Sequence, residues 1–561
     1  MKQCVNCPTD AILQMTRELC EIAGYGITSG IHPGRKGERA AQFILERLHE
    51  RGLKRARLEK IKVHDPFPES YKVEVRAENG DIIRDLSAHS FPLLWTAPTP
   101  DEGIEGEMVY LGDGSPSSFQ LNRVSGKIAL IDEKFIRGYI PSASDATLIA
   151  KERGAIAVLR LNQVLDSPQQ QKGEGSPENL FPIPVFCLSK SAGDFLRRLA
   201  TSDKPYRVRL QLCAPHEVVD AFNIVLELPG NGDSEEKILI GTHYDTLFTG
   251  AIDNNGSVVL MVKLAEYFSR KERNRTMVFA WCFGHDCDLN SGHYQFGDAH
   301  SAELSRAIVW DVDHALGGTR YRYDEDEGKI VPVEGETCEF YIISNSYVYS
   351  KLVAFVMDKY GFVSTIHRLR TAGIEPQGPQ WGIAPPTSPW CSCATIPVYY
   401  HSIYDTPDKI TPDQAERAYL AHIEILEYLQ KMPEGLLFYD TLTRNVRGEK
   451  PRVRIALVSD VVRVGDTIKA WNDETYFWTR KSCYHYPAIP EWAGTLWDFG
   501  DGTPPTVGGP TATHVYDWPG TYEIKMKFTD TEGNTSIATR TVRVLEHKVF
   551  KPWDEIRKIR S

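Results

Sequence analysis

Three short apolar runs in the middle of the chain each end on groups that can hold a metal ion, and this repeated ending constrains the fold more than any other feature. Ile238-Leu239-Ile240 leads through Gly241-Thr242 to His243, Met277-Val278-Phe279-Ala280-Trp281 is followed by Phe283-Gly284-His285-Asp286, and Ala307-Ile308-Val309-Trp310 ends on Asp311. Uninterrupted apolar runs of this length are buried strands. Strands whose polar residues all lie at one end bring them to the carboxyl edge of a sheet, where α/β sites are built. Between the first two runs, Thr249-Gly250 turns into Ala251-Ile252-Asp253-Asn254-Asn255-Gly256, and the apolar spacing of residues 257–268 is helical. A further apolar run, Ile396 to Tyr400, stops on His401 and continues into Asp405-Thr406-Pro407-Asp408-Lys409-Ile410.

Taken in order, these residues resemble the motif series of the zinc exopeptidase family that includes the bacterial leucyl aminopeptidases, aminopeptidase Y and, more distantly, glutaminyl cyclase. The resemblance covers residues 1–85 and 216–432. It implies an α/β core of the phosphorylase/hydrolase-like type, a mixed β-sheet flanked by helices. It also implies two divalent ions, with His243 and Asp311 on one, Asp286 and His401 on the other, and Asp253 bridging them. Zinc is the family expectation, and an oxygen-rich cage with two imidazoles also suits manganese or iron. Asp245 matches a carboxylate that fixes the tautomer of His243. Tyr400 matches a phenol that donates to a developing oxyanion. The implied reaction is hydrolysis of an amide or related C–N bond in a short peptide or small molecule, because paired ions activate water and polarise a carbonyl.

The chain departs from that family at the step that moves the proton. Where the family has two consecutive acidic residues, a general base and then a ligand, this sequence reads His285-Asp286. The ligand becomes a shorter carboxylate and the base an imidazole, which can take a proton from water or can itself ligate a metal. A catalytically reduced relative that binds a ligand or partner, and a lyase or cyclase on the same metal scaffold, are the alternative readings. The segment Thr387-Ser388-Pro389-Trp390-Cys391-Ser392-Cys393 also differs from the family's Ser-Asp pair and apolar pocket loop. It closes a stretch from Arg368 holding Pro376, Pro379, Pro385, Pro386, Trp381 and Trp390, read here as a rigid aromatic wall of the substrate chamber. Arg368 and Arg370 offer paired hydrogen bonds to a carboxylate. Cys282, Cys287, Cys391 and Cys393 lie near the site in sequence and read as buried reduced core residues.

The 561 residues exceed what one core organises, so several domains are expected. Residues 1–85 and 216–435 form the metallo-exopeptidase-like domain, entered through two amphipathic helices between residues 11 and 53. Within 86–215, Gly126-Lys127-Ile128-Ala129-Leu130-Ile131, the helical run 146–153 and Gly154-Ala155-Ile156-Ala157-Val158 resemble the protease-associated domain, an α+β insert expected to lie over the site as a lid. Its Pro168–Pro177 segment reads as an exposed loop. Residues 450–546 alternate with period two. Trp497-Asp498-Phe499-Gly500-Asp501-Gly502, His514-Val515-Tyr516 and Pro519-Gly520-Thr521-Tyr522 resemble the polycystic-kidney-disease repeat, a β-sandwich through which a homo-oligomer is expected to form, followed by a tail at 547–561. A formal charge of -11 argues against a general nucleic-acid binder, and no apolar run reaches membrane-spanning length. The absence of an apolar signal region and the odd number of cysteines, 11, point to the cytoplasm and reduced thiols; Cys4-x-x-Cys7 lacks a second pair.

Overall fold

A computed structural model describes residues 7–133, 144–170, 180–232, 234–286, 292–367, 388–438, 453, 455–457, 459–472, 495–508, 511–529 and 535–546. The chain divides into two compact units, one of residues 1–368 with 375–444 and one containing 445–561.

In the larger unit an eight-stranded mixed sheet runs in the order 364–367, 340–344, 390–395, 307–311, 237–243, 277–282, 218–228, 57–64. Its four central strands, Trp390–Thr395, Ala307–Asp311, Lys237–His243 and Met277–Cys282, are parallel. They are buried along almost their whole length, which is why their sequences are continuously apolar rather than alternating. The helix Ser257–Ser269 is buried on nearly every side and belongs to a layer with Thr9–Ala23, Arg35–Glu50, Tyr347–Lys359 and Pro412–Lys431. Pro412–Lys431 starts on a capping box in which Thr411 and Gln414 satisfy each other's backbone N–H groups, with proline at the first helical position. Trp310 faces this layer, against Tyr349 and His422.

One sequence expectation fails in this sheet. Trp390–Thr395 is a buried central strand, not a pocket loop, and the apolar run 396–400 is the turn that follows it. Small buried Cys and Ser side chains let it pack between Ala307–Asp311 and the antiparallel strand Phe340–Ser344. The stretch 368–387, with Arg368, Arg370 and Trp381, lies outside the described residues.

A second eight-stranded sheet runs 82–85, 70–77, 206–213, 104–110, 128–133, 157–162, 185–188, 90–92. The strand Ile128–Glu133 and the helix Ser144–Glu152 overlap the strand and helix read from the sequence at 126–131 and 146–153, and the strand Ala157–Asn162 follows them. Ser70–Ala77 and Ile82–Asp85 also join this sheet, so by strand pairing it begins at Ser70 rather than at residue 86. The reason is a pair of strands that pass from one sheet into the next. Arg57–His64 pairs with Val218–Leu228 in the first sheet, and Ser70–Ala77 pairs with Tyr206–Cys213 in the second. Between them Asp65 N donates to Glu217 O at 2.8 Å and Glu69 N to Cys213 O at 2.9 Å, which keeps the two linkers in step.

Among its described residues the smaller unit is a β-sandwich of one three-stranded and one five-stranded sheet. Ile455, Ile468 and Ala470 from the first sheet and Trp497, Ile524, Met526, Val542 and Val544 from the second share one core. Tyr516 closes it, its hydroxyl donating to Phe499 O at 2.9 Å. Among the described residues no helix is long and apolar enough to cross a membrane.

Candidate metal centre

Asp253 is the centre about which the buried imidazoles converge. Its Oδ1 lies 3.3 Å from His243 Nε2 and 3.0 Å from His314 Nε2, and its Oδ2 lies 2.9 Å from His401 Nε2. Asp313 Oδ1 is 3.2 Å from His243 Nε2, and Asp286 Oδ1 is 3.8 Å from His401 Nε2. The donors fall into groups able to hold an ion: His243, Asp253, Asp313 and His314; Asp253, Asp286 and His401; and His243, His285 and Asp286.

Each ligand candidate is aimed by its local backbone. His243 closes its strand. Asp253 sits in a turn entered through Gly250, whose backbone is left-handed (φ 61°); a Cβ there would come within 2.4 Å of Asp253 O and 2.6 Å of Thr246 Cβ, so only glycine fits. Asp405 lies behind this turn and accepts hydrogen bonds from Ile252 N at 2.8 Å and Asp253 N at 3.0 Å. Burial pushes its carboxyl up to about 7. Asn254 fastens the opposite wall, with Nδ2 donating to Asp313 Oδ1 at 2.5 Å and Oδ1 accepting from His314 N at 3.1 Å. Asp245 organises the third wall. Its Oδ1 accepts Gly284 N at 3.0 Å and His285 N at 3.1 Å, its Oδ2 accepts Asp286 N at 2.7 Å, and its backbone carbonyl takes His243 Nδ1 at 3.0 Å.

The structure brings together His243, Asp253, Asp286 and His401 but leaves Asp311 out of every group, and Asp313 stands in its place. Register explains the correction. The strands Lys237–His243 and Ala307–Asp311 pair with Gly241 opposite Asp311, so Asp311 lies two residues, about 6.6 Å, below the level of His243. Asp313 reaches that level. Asp311 remains fully buried, and burial followed by the nearby Asp313 holds its carboxyl well above the usual carboxylate range.

Electrostatics fits a cation site. Burial opposes charge on His243, but Asp313, Asp245 and Asp253 outweigh it and raise its pKa well above the ordinary value. His314 is pushed up to about 9, burial being overcome by Asp313 and Asp253. Asp253 lies well below the carboxylate range despite its burial, because His314, His243 and His401 favour its anion. Protons on imidazoles thus balance buried carboxylates, a task a divalent ion performs with the imidazoles neutral. The buried Nε2 atoms of His243 and His401, both carboxylate oxygens of Asp253 and Asp313 Oδ2 have no hydrogen-bond partner, and such convergent buried atoms are what a cation satisfies.

His285 sits at the rim. Its ring lies 4.4 Å from that of His243 and edge-on to His293 at 5.6 Å, and it is only partly buried whereas His243, His314 and His401 are buried. Tyr400 lies flat on His401, ring centroids 3.6 Å apart, and 5.3 Å from the His314 ring. Cys282, Cys391 and Cys393 are core thiols held up by burial, and Cys287 lies outside the described residues.

The segment that follows the strand Ala157–Asn162 also reaches the site. Pro168, Gln169 and Gln170, expected in an exposed loop, are buried against the His401 turn. Gln170 N donates to His401 O at 3.1 Å, and Gln170 O stands 3.2 Å from His401 Nδ1. Gln169 Nε2 donates to Tyr400 O at 2.7 Å and Val398 O at 3.2 Å, and Ile403 N donates to Ser167 Oγ at 3.2 Å. Residues 171–177 of the expected loop lie outside the described residues.

Residues 223–426, which enclose every group of this centre from His243 to His401, match the model of peptidase family M28. The chain carries an M28 peptidase domain. Residues 100–196 match the PA domain and 491–544 the PKD domain. The M28 peptidase precursor of Shewanella amazonensis superposes with a TM-score of 0.58 at 17% identity, covering 76% of this chain and 94% of that one. The zinc aminopeptidase of Bacillus subtilis gives 0.54 at 18%, covering 77% and 98%, and an aminopeptidase of Aneurinibacillus sp. strain AM-1 gives 0.50 at 15%, covering 76% and 94%. At these identities the likeness is one of fold. No curated protein matches the chain. Family and fold support a metallohydrolase of the peptidase type, and the donor groups just described are read from this chain's own geometry.

Proposed function

We propose that the M28 domain is a two-metal hydrolase of an amide or related C–N bond in a short peptide or small molecule, with His285 as its proton carrier. The observation that carries this reading is the convergence of His243, Asp313, Asp286 and His401 on the two oxygens of Asp253, with a partly exposed imidazole beside them. Zinc fits the imidazole and carboxylate donors, and manganese or iron suits the same set. Bound divalent ions supply Lewis acidity at the scissile carbonyl and activation of water.

The chain's own groups supply the rest. His285 Nε2 or Nδ1 takes one proton from the water that adds to the carbonyl carbon and returns it to the leaving nitrogen as the C–N bond breaks. Asp245 holds this imidazole in reach by binding the backbone of residues 284–286. Tyr400, packed on His401, is the candidate donor to the developing oxyanion. The Gln169–Gln170 segment fixes the His401 turn from the side of the insert, which supports a chamber built by both sheets.

His285→Ala tests the reading, with aminoacyl amides and non-peptide amides as substrates. It should keep its metal content while kcat falls by about 10² to 10⁴, the range for losing general acid-base catalysis. An unchanged rate would remove His285 from the chemistry. Loss of a metal would make it a ligand instead.

A further inference from the structure

Three imidazoles, not two, are built alike around Asp253. His243 Nδ1 meets the carbonyl of Asp245 at 3.0 Å, His401 Nδ1 that of Gln170 at 3.2 Å, and His314 Nδ1 that of Thr395 at 2.5 Å. A backbone carbonyl accepts only, so each ring keeps its proton on Nδ1 and turns the Nε2 lone pair toward the cage. All three Nε2 atoms then lie between 2.9 and 3.3 Å from an oxygen of Asp253. His314 is aimed there by a left-handed backbone (φ 43°), and His401 shares this feature (φ 51°). Residues other than glycine seldom adopt that conformation, which concentrates where a side chain must point against the run of the chain.

From this we infer that His314 is a fourth protein ligand of the first metal position, together with His243, Asp253 and Asp313. The inference rests on the two-metal reading above and adds to it that the two positions are unequal. Four donors about 2.0–2.1 Å from one zinc ion in a tetrahedron stand roughly 3.3–3.4 Å apart. The separations in the structure are 3.3 Å for His243 to Asp253, 3.2 Å for His243 to Asp313, 3.0 Å for His314 to Asp253 and 3.7 Å for His314 to Asp313. The second position has three donors, Asp253 Oδ2, Asp286 and His401, and His285 stands beside Asp286. Four protein ligands close a site, whereas three leave a place for substrate or water. The first position therefore anchors Asp253 and the fold around it, and the open coordination place belongs to the second, next to the proton carrier.

The test uses the full-length protein, stripped with chelator and reloaded with Co²⁺ alone. Each ligating imidazole whose Nδ1–H is held by a carbonyl gives one exchangeable proton signal shifted far from its ordinary position by the paramagnetic ion. Wild type should show three such signals, from His243, His314 and His401. His314→Gln should lose one and bind its tighter ion at least about tenfold more weakly in competition with a chelator dye, the lower end of what disturbed metal coordination costs. Binding of two ions with an unchanged signal set and affinity in His314→Gln overturns this inference and leaves the two-metal reading intact. Because wild type alone must show the third signal, a His314→Gln protein that fails to fold does not shelter the idea. Protein that takes up no Co²⁺ overturns both.

Discussion

Replacing Gln169 by Leu asks whether the insert is part of the metal site or a neighbour of it. Gln169 is buried, with 5% of its surface exposed, so leucine fills nearly the same space without its polar atoms. The exchange removes the bonds from Nε2 to Tyr400 O and Val398 O and the bond from Asn162 Nδ2 to Gln169 Oε1 at 3.2 Å. A buried neutral hydrogen bond contributes about 1 kcal/mol net, so the two that reach Tyr400 and Val398 contribute roughly 2 kcal/mol to seating this segment on the His401 turn, while the Asn162 bond holds the segment within the insert. That is about thirtyfold in the seated fraction. The adjacent Gln170 carbonyl is the partner of His401 Nδ1, so unseating frees the ring that must face the second metal position. Zinc competition against a chelator dye should therefore show the second ion bound up to about thirtyfold more weakly and the first nearly unchanged. By reciprocity, zinc should protect the 166–170 segment from proteolysis. If Gln169→Leu exposes that segment to protease while both zinc affinities stay at wild-type values, the coupling between insert and metal is wrong.

Two further substitutions separate neighbouring roles. Asp313→Asn should cost one of the two ions and Asp311→Asn neither, as read by metal analysis of purified protein; the reverse result would contradict the register that places Asp311 level with Gly241. Asp245→Asn turns an amide toward at least one of the three backbone N–H groups its carboxylate now accepts, a loss of about 1.5–3 kcal/mol for a charge-assisted bond. It should lower the melting temperature by several degrees and weaken the ion held through Asp286; an unchanged melting curve and metal titration would leave Asp245 without the organising role described.

What could be read from the sequence, and what could not, follows from whether the deciding contact is local. His243, Asp286 and the Asp253 turn are visible because strand ends and glycine turns are written in short stretches of chain. Asp311 and Asp313 are two residues apart on one face of the same extended segment, and only the pairing with Lys237–His243 decides which reaches the edge. The phrase Trp390-Cys391-Ser392-Cys393 lacks β-branched residues, so its strand is created by burial between two neighbours rather than by local preference. Pro168-Gln169-Gln170 has the composition of a solvated loop, yet its amides find buried carbonyls far away in sequence. Nothing local distinguishes His314. Its partners, Asp253, Asn254 and Thr395, come from other strands and turns.

The roles proposed for the histidines differ according to what holds each one. A metal ligand needs one tautomer and one ring orientation, and His243, His314 and His401 have both, being buried with Nδ1 on a backbone carbonyl. A proton carrier must change protonation state in each cycle, which full burial among cations opposes. His285 is partly exposed, and Asp245 accepts its backbone N–H. Asp245 thereby serves both roles at once. Its carbonyl fixes the tautomer of the proposed ligand His243, and its carboxylate fixes the turn that carries His285 and Asp286. Exchanging a carboxylate base for an imidazole at position 285 leaves this support untouched, because the support is made to the main chain and is indifferent to the side chain it presents.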